Sequence, residues 1–148
     1  KLGLTFSVNN IIGFPDETRE LAFDTIELNR RFNSDNTSCS ILVPFHGTEL
    51  HAYAVEKGYL DPNVICAVSN SGESLLNMPQ WDKKDMTRLR DVFAMYIKFP
   101  KDRWPEIKRA ETDDALRTKL REEFVKTYWS NSTAKIEDDI AEAAKGLF

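Results

Sequence analysis

Cysteine is almost missing from this chain. Two of its 148 residues, Cys39 and Cys66, are cysteines, too few and too far apart for a CxxC or CxxxCxxC loop. No disulfide framework is suggested, and two unpaired thiols fit the cytoplasm. Histidine is as scarce. His46 and His51 are the only two, and neither has a second ligand at metal spacing, so no metal is expected on this chain. Basic charge is not in excess: 20 Lys and Arg stand against 24 Asp and Glu, a formal charge of −4. That argues against a nucleic-acid or anionic-membrane partner. No apolar run reaches about 18 residues, so no bilayer-spanning helix is expected. The opening Lys1-Leu2-Gly3-Leu4 lacks the parts of a signal peptide. With no initiator methionine and a strand-like run at once, the chain reads as a piece of something longer.

What is present suffices for a core. Apolar residues make up 41%, and one domain of ordinary size is the expectation. Residues 4–12 read as a strand, with Leu4, Phe6 and Val8 alternating with Thr5, Ser7 and Asn9. The turn Gly13-Phe14-Pro15-Asp16-Glu17-Thr18 stops it, with Asp16 as the expected N-cap and Glu17 at the positive helix end. The helix runs to about Arg31, with Leu21, Leu28 and Phe32 on one face around Thr25. A second strand spans 37–43, with Cys39, Ile41 and Val43 on one face and Ser38, Ser40 and Leu42 on the other; Cys39 is a candidate small core residue. Pro44 ends it, Thr48 caps a helix over 49–57, and Gly58 stops that helix. Strand, helix, strand, helix implies a parallel, right-handed βαβ crossover.

Beyond residue 58 the character changes. Residues 59–80 are irregular. A helix over 82–98 presents Met86, Leu89, Val92, Phe93, Tyr96 and Ile97 as one stripe. Trp104-Pro105 starts a short helix. Thr112 caps another to about Trp129, with Leu116, Leu120, Phe124 and Tyr128 at four-residue steps. Residues 132–145 suggest a last, weaker helix.

Two segments carry a specific signal. The first is Asn10-Ile11-Ile12-Gly13-Phe14-Pro15-Asp16-Glu17-Thr18 before a helix. The second is Ser40-Ile41-Leu42-Val43-Pro44-Phe45-His46-Gly47-Thr48-Glu49-Leu50, followed by Lys57-Gly58. In this order they resemble the radical S-adenosylmethionine (radical SAM) enzymes, most closely the cobalamin-dependent Fe–S oxidoreductase and methyltransferase class. The resemblance covers residues 1–60, fades through 61–100 and says little beyond.

The resemblance implies an α/β fold: the C-terminal part of a partial (β/α) TIM-like barrel, with two parallel strands followed by a mostly α-helical extension. Residues 1–60 would form the barrel segment, 61–81 a connector and 82–148 the extension. Carried over, Asn9, Ile11, Gly13, Ser40, Leu42 and Pro44 would line the adenosyl pocket, and His46 would be a substrate-side candidate on the rim. The family often has glycine where this chain has Asn9. The longer protein would use S-adenosylmethionine and a [4Fe–4S] cluster, with cobalamin a candidate, in the cytoplasm. Three cysteines hold such a cluster; this chain lacks them, and catalytic residues are expected elsewhere. Alone it should bind the cofactor weakly or not at all, and its partners would be the rest of the parent chain, an unknown substrate, or a second copy of itself.

The residues leave alternatives open. The strands' polar face could simply meet water. Gly13 could be a turn residue or a place where backbone approaches a ligand. His46 could be a surface loop histidine and His51 solvent-facing. The 69–73 stretch could be a lid or only a loop. Phe93, Tyr96, Trp104, Phe124, Tyr128 and Trp129 read as core aromatics, Asp113-Asp114 and Glu137-Asp138-Asp139 as cap or solvated carboxylates. A different class is a helical protein-interaction module with a remnant α/β segment. A third, a phosphate-holding nucleotide domain at the Gly13 turn, lacks the Gly-rich loop and lysine it needs.

Overall fold

Period-two alternation before and after one amphipathic helix produces a parallel pair of strands. A computed structural model describes residues 6–65 and 72–129. Strand β1 is Ser7–Ile12 and strand β2 is Asn36–Ile41. They pair in parallel, from Ser7 opposite Asn36 to Ile12 opposite Ile41. Helix α1, Arg19–Phe32, makes the crossover, and α2, Glu49–Glu56, follows β2. The rest is helical: α3, Lys83–Lys98, α4, Trp104–Ala110, and α5, Asp114–Phe124, which passes into a π-helical turn at Val125–Trp129. The described protein is thus α/β and mostly helical, with one two-stranded parallel sheet.

One face of the sheet lies beneath helices. Asn10 and Ile12 of β1 and Thr37 and Ile41 of β2 are buried there, with Val8 and Cys39 half-buried. The sheet faces follow the expected alternation. Leu4, Thr5, Cys66, residues 69–71 and the expected helix over 132–145, with Glu137 to Asp139, lie outside the described residues. At the start of the helix-facing side, Phe6 stays exposed. A buried amide pair fixes α1 on this face. Asn10 Nδ2 donates to Asn29 Oδ1 (3.2 Å), to Thr37 Oγ1 and to the Ser38 carbonyl, and Asn29 Nδ2 returns a bond to Asn10 Oδ1 (2.7 Å). Buried amides are tolerable because they satisfy one another.

Two expectations about α1 are corrected. Its N-cap is Thr18, not Asp16: the Thr18 hydroxyl accepts from Leu21 N. Asp16 sits two residues earlier in the left-handed region, at φ +66°, a conformation Asp tolerates better than most residues. The buried face is Ala22, Ile26 and Asn29, while Leu21, Leu28 and Phe32 are about half exposed. The reason is lateral packing. Helix α1 leans on α3, and its Phe23 meets Tyr96 of α3 and Trp104 of α4 edge-on at 5.0 and 5.6 Å. Its leucine flank has no neighbouring element that packs on it among the described residues.

Helix α3 is the centre of the core. Asp82 caps it, accepting from Lys84 N and Asp85 N. Met86, Leu89, Val92, Phe93, Tyr96 and Ile97 are all buried, as their spacing predicts. Phe99 and Pro100 end it, and the Arg30 guanidinium donates to the carbonyls of Tyr96, Ile97 and Phe99. Carbonyls at a helix C-terminus have no partner within the helix, and the Tyr96 carbonyl also accepts from Trp104 Nε1 at 3.2 Å. Helix α5 is capped by Asp113, whose carboxylate accepts from Leu116 N, rather than by Thr112, whose hydroxyl turns back to the Arg109 carbonyl. Leu120 is fully buried, with Leu116, Phe124 and Tyr128 packed beside it. The expected aromatic cluster is therefore core, except that the Trp129 side chain lies outside the description.

Candidate functional site

Among the described residues, the second face of the sheet is open. Ser7, Asn9, Ile11 and Ser38 are exposed on it, and Ser40 is half-buried. In register, Asn9 lies opposite Ser38 and Ile11 opposite Ser40. The Ser38 hydroxyl donates to Asn9 Oδ1 at 2.7 Å, so the amide oxygen is oriented across the strands. Ile11 is 49% exposed in the midst of these polar groups. The arrangement offers one apolar contact framed by hydroxyl and amide groups, near the C-terminal ends of two parallel strands. Ligands of parallel α/β sheets sit at those ends.

The remaining expected site residues are not on this open surface. Leu42 and Pro44 are buried, and Leu42 N continues the ladder to the Ile12 carbonyl at 2.8 Å. Gly13 is buried at φ +84°. A Cβ built there would lie 3.3 Å from Met86 Sδ and 3.5 Å from Ile41 Cγ2. The glycine therefore serves the turn and a close approach to α3.

The turn itself is tightly organised. The Glu17 carboxylate accepts from Gly13 N at 2.5 Å and Phe14 N at 2.9 Å. Those two amides, the nearest candidates for holding a phosphate, are taken by the chain's own carboxylate. Burial pushes the Glu17 carboxyl above its ordinary value, and the two N–H donors offset part of that. Asp16 binds outward. Its carboxylate accepts from the phenols of Tyr53 and Tyr59, the latter at 2.7 Å. Those hydrogen bonds hold the Asp16 carboxyl below its usual range, and Asp16 in turn raises the Tyr59 phenol. The link ties the turn after β1 to α2 and the segment behind it. Sequence reading missed it, although an Asp able to adopt positive φ was a usable signal.

His46 is exposed in the loop after β2, and its Nε2 lies 2.9 Å from the Val64 carbonyl. His51 is not the solvent-facing residue expected. It is half-buried, and its ring meets that of His46 with centroids 4.3 Å apart and planes tilted by 41°. Its Nε2 is enclosed without a hydrogen-bond partner among the described residues. A helix rise of 1.5 Å per residue places the first turn of α2 close to the loop that feeds it, and the two rings meet there. Among the described residues, no group of three or more His, Cys, Asp or Glu side chains converges as a metal site. No described helix is long and apolar enough to cross a membrane.

No family model matches the chain, and no solved structure matches it. Among curated proteins, the uncharacterized methyltransferase PH0819 of Pyrococcus horikoshii is 40% identical over 60 residues. The match takes in 40% of this chain and spans 13% of that protein's length. The chain is therefore similar, over part of its length, to a protein named as a methyltransferase.

Proposed function

We propose that the chain is the C-terminal part of a radical S-adenosylmethionine enzyme, and that its open sheet face forms the wall against which the cofactor's adenosyl end rests. The observation that carries this reading is Ile11. It is half exposed between Asn9 and Ser40, on an otherwise polar face at the C-terminal half of β1. An adenosyl group has a flat apolar base and a hydroxylated ribose. Ile11 suits the first, and Asn9, Ser38 and Ser40 suit the second. Partial similarity to a named methyltransferase supports use of S-adenosylmethionine.

The chain's residues do not fit a [4Fe–4S] cluster, which three thiolates would hold. It contains two cysteines, and the described one, Cys39, lies half-buried on the opposite face of the sheet. Cluster ligands, and any cobalamin site, belong in this reading to the remainder of a longer cytoplasmic protein. That remainder is also the natural partner for the outer edge of β1 and the Leu21, Leu28 and Phe32 flank of α1. Residues 1–60 then form the barrel segment, 61–81 the connector and 82–148 the helical extension.

The test begins with the coding region ahead of Lys1. The longer protein is expressed, reconstituted anaerobically with iron and sulfide, and reduced with dithionite. Cleavage of S-adenosylmethionine to 5′-deoxyadenosine is expected, and Ile11→Asp should cut it about tenfold or more, the scale of losing a buried apolar contact and adding a charge. An upstream region with no CxxxCxxC, or a reconstituted protein that makes no 5′-deoxyadenosine, would sink the reading.

A further inference from the structure

A cavity of about 420 Å³ opens on the side of the sheet away from Ile11, between β2, α3 and α5. Its size falls within the range of small-molecule sites, about 300–1,000 Å³. Three guanidinium groups line it, from Arg90, Arg117 and Arg121, against a single carboxylate, Asp91. For a chain with a formal charge of −4, this is a local reversal of sign.

Two of the three arginines are partly engaged. Arg90 pairs with Asp91 at 2.8 Å and donates to the Gly72 carbonyl. Arg117 pairs with Asp114 at 2.6 Å. Arg121 has no hydrogen bond or ion pair from its guanidinium among the described residues, and it lies on the wall of the same cavity. The rest of the lining is not a generic charged surface. Met95 and Phe124 give it an apolar wall, and Cys39 forms part of its floor. Burial pushes the Cys39 thiol up to about 12, so that floor stays neutral and adds no negative charge near neutral pH.

We infer that this cavity binds a small amphipathic organic anion, with its carboxylate or phosphate head on Arg121 and Arg117 and its apolar body against Met95 and Phe124. Arginine's planar fork matches carboxylate and phosphate oxygens in pairs. The site is separate from the proposed adenosyl wall, because Cys39 and the side chains of Asn9 and Ile11 project from opposite faces of the sheet. Neither reading depends on the other.

The test uses the full chain carrying ¹³C-methyl methionine. Met95 lines the cavity, while Met86 is buried in the core and serves as an internal control. Octanoate, inorganic phosphate and the uncharged octanol are titrated separately. Octanoate should shift the Met95 methyl saturably and leave Met86 in place. Octanol and phosphate should each bind at least about tenfold more weakly, since each lacks one half of the ligand. Arg121→Ala should weaken octanoate by a similar factor, and Arg121→Lys by less. An unchanged Met86 resonance confirms that the variants are folded, because Arg121 is exposed. No Met95 shift with octanoate, equal binding of octanol, equal binding of phosphate, or an unaltered Arg121→Ala titration would each overturn the assignment.

Discussion

Glu111 is the most consequential single carboxylate of the described protein. Its side chain is 2% exposed, yet it is held by Arg19 (2.6 Å), Lys108 (2.8 Å) and the Tyr96 phenol (2.7 Å). Arg19 also reaches Asp85 at 2.9 Å, and Asp85 accepts from Trp81 Nε1. Burial alone would depress the Arg19 guanidinium; Glu111 and Asp85 together more than offset it. Burial, with the adjoining Glu111 carboxylate, drives the Tyr96 phenol upward. Removing one partner of a buried charge group leaves the others uncompensated. Glu111→Gln keeps the shape and loses the charge, and urea denaturation should show a loss of about 2–3 kcal/mol. A change within about 0.5 kcal/mol, the range of ordinary surface substitutions, would mean the network is solvated. Glu17 gives a second residue-level prediction, with a sign. Its folded-state value is raised from 4.5, so the folded protein holds a proton that the unfolded chain releases. Stability from this group is present below 4.5 and is lost as pH rises through the folded value. Glu17→Gln should remove that downward slope from stability measured against pH. Asp85 acts oppositely: lowered from 3.8, its contribution is present above 3.8 and fails as pH falls through its folded value.

Helix α1 shows why periodicity names a helix more easily than its buried face. Leu21, Leu28 and Phe32 and the pair Ala22 and Ile26 both repeat at helical spacing, on adjacent flanks. Hydrophobicity alone favours the larger residues. The structure buries the smaller set, because α1 must lie close to the sheet and lean on α3, and Asn29 finds its partner in Asn10. That choice depends on where α3 sits, more than fifty positions along the chain, and no local pattern contains it. Helix α3 had no such ambiguity, since its six apolar positions form one stripe with nothing competing. The open sheet face was legible in the same way, through the alternation of Ser7, Asn9 and Ser38 with apolar neighbours. Gly13 was harder: a positive φ was readable, but its approach to Met86 was not. Face assignment is measurable. Ile26→Ala should cost about 2–4 kcal/mol as a buried large-to-small change. Leu28→Ala should stay within roughly 1 kcal/mol, because its side chain remains half in water. Chemical denaturation of both variants compares them, and equal losses would contradict the packing.

At the scale of the molecule, the sheet and the helices share one core. A two-stranded sheet has little stability by itself. Here Ile12 and Ile41 are buried in the same cluster as Met86, Leu89, Val92 and Phe93, and that cluster continues to Ile107 and Leu120. Polar ties cross the same boundary: Arg19 to Asp85 and Glu111, Arg30 to the end of α3, and Lys98 to the Ser34 carbonyl. A helical interaction module with the strands as a remnant therefore has a specific physical difficulty. Cutting the chain before Asp82 leaves α3 with its apolar stripe uncovered on the side that meets β2 and α1. Burial is worth about 25 cal/mol per Å² of apolar surface, and an isolated helix of sixteen residues is marginal in water. The piece 82–148 should give weak helical circular dichroism, no cooperative thermal transition and poorly dispersed amide resonances, whereas the full chain should melt cooperatively. Adding back residues 1–81 as a separate polypeptide should restore dispersion if the shared core holds the two parts. A cooperatively folded 82–148 would instead favour the module, and would confine the strands to an accessory role.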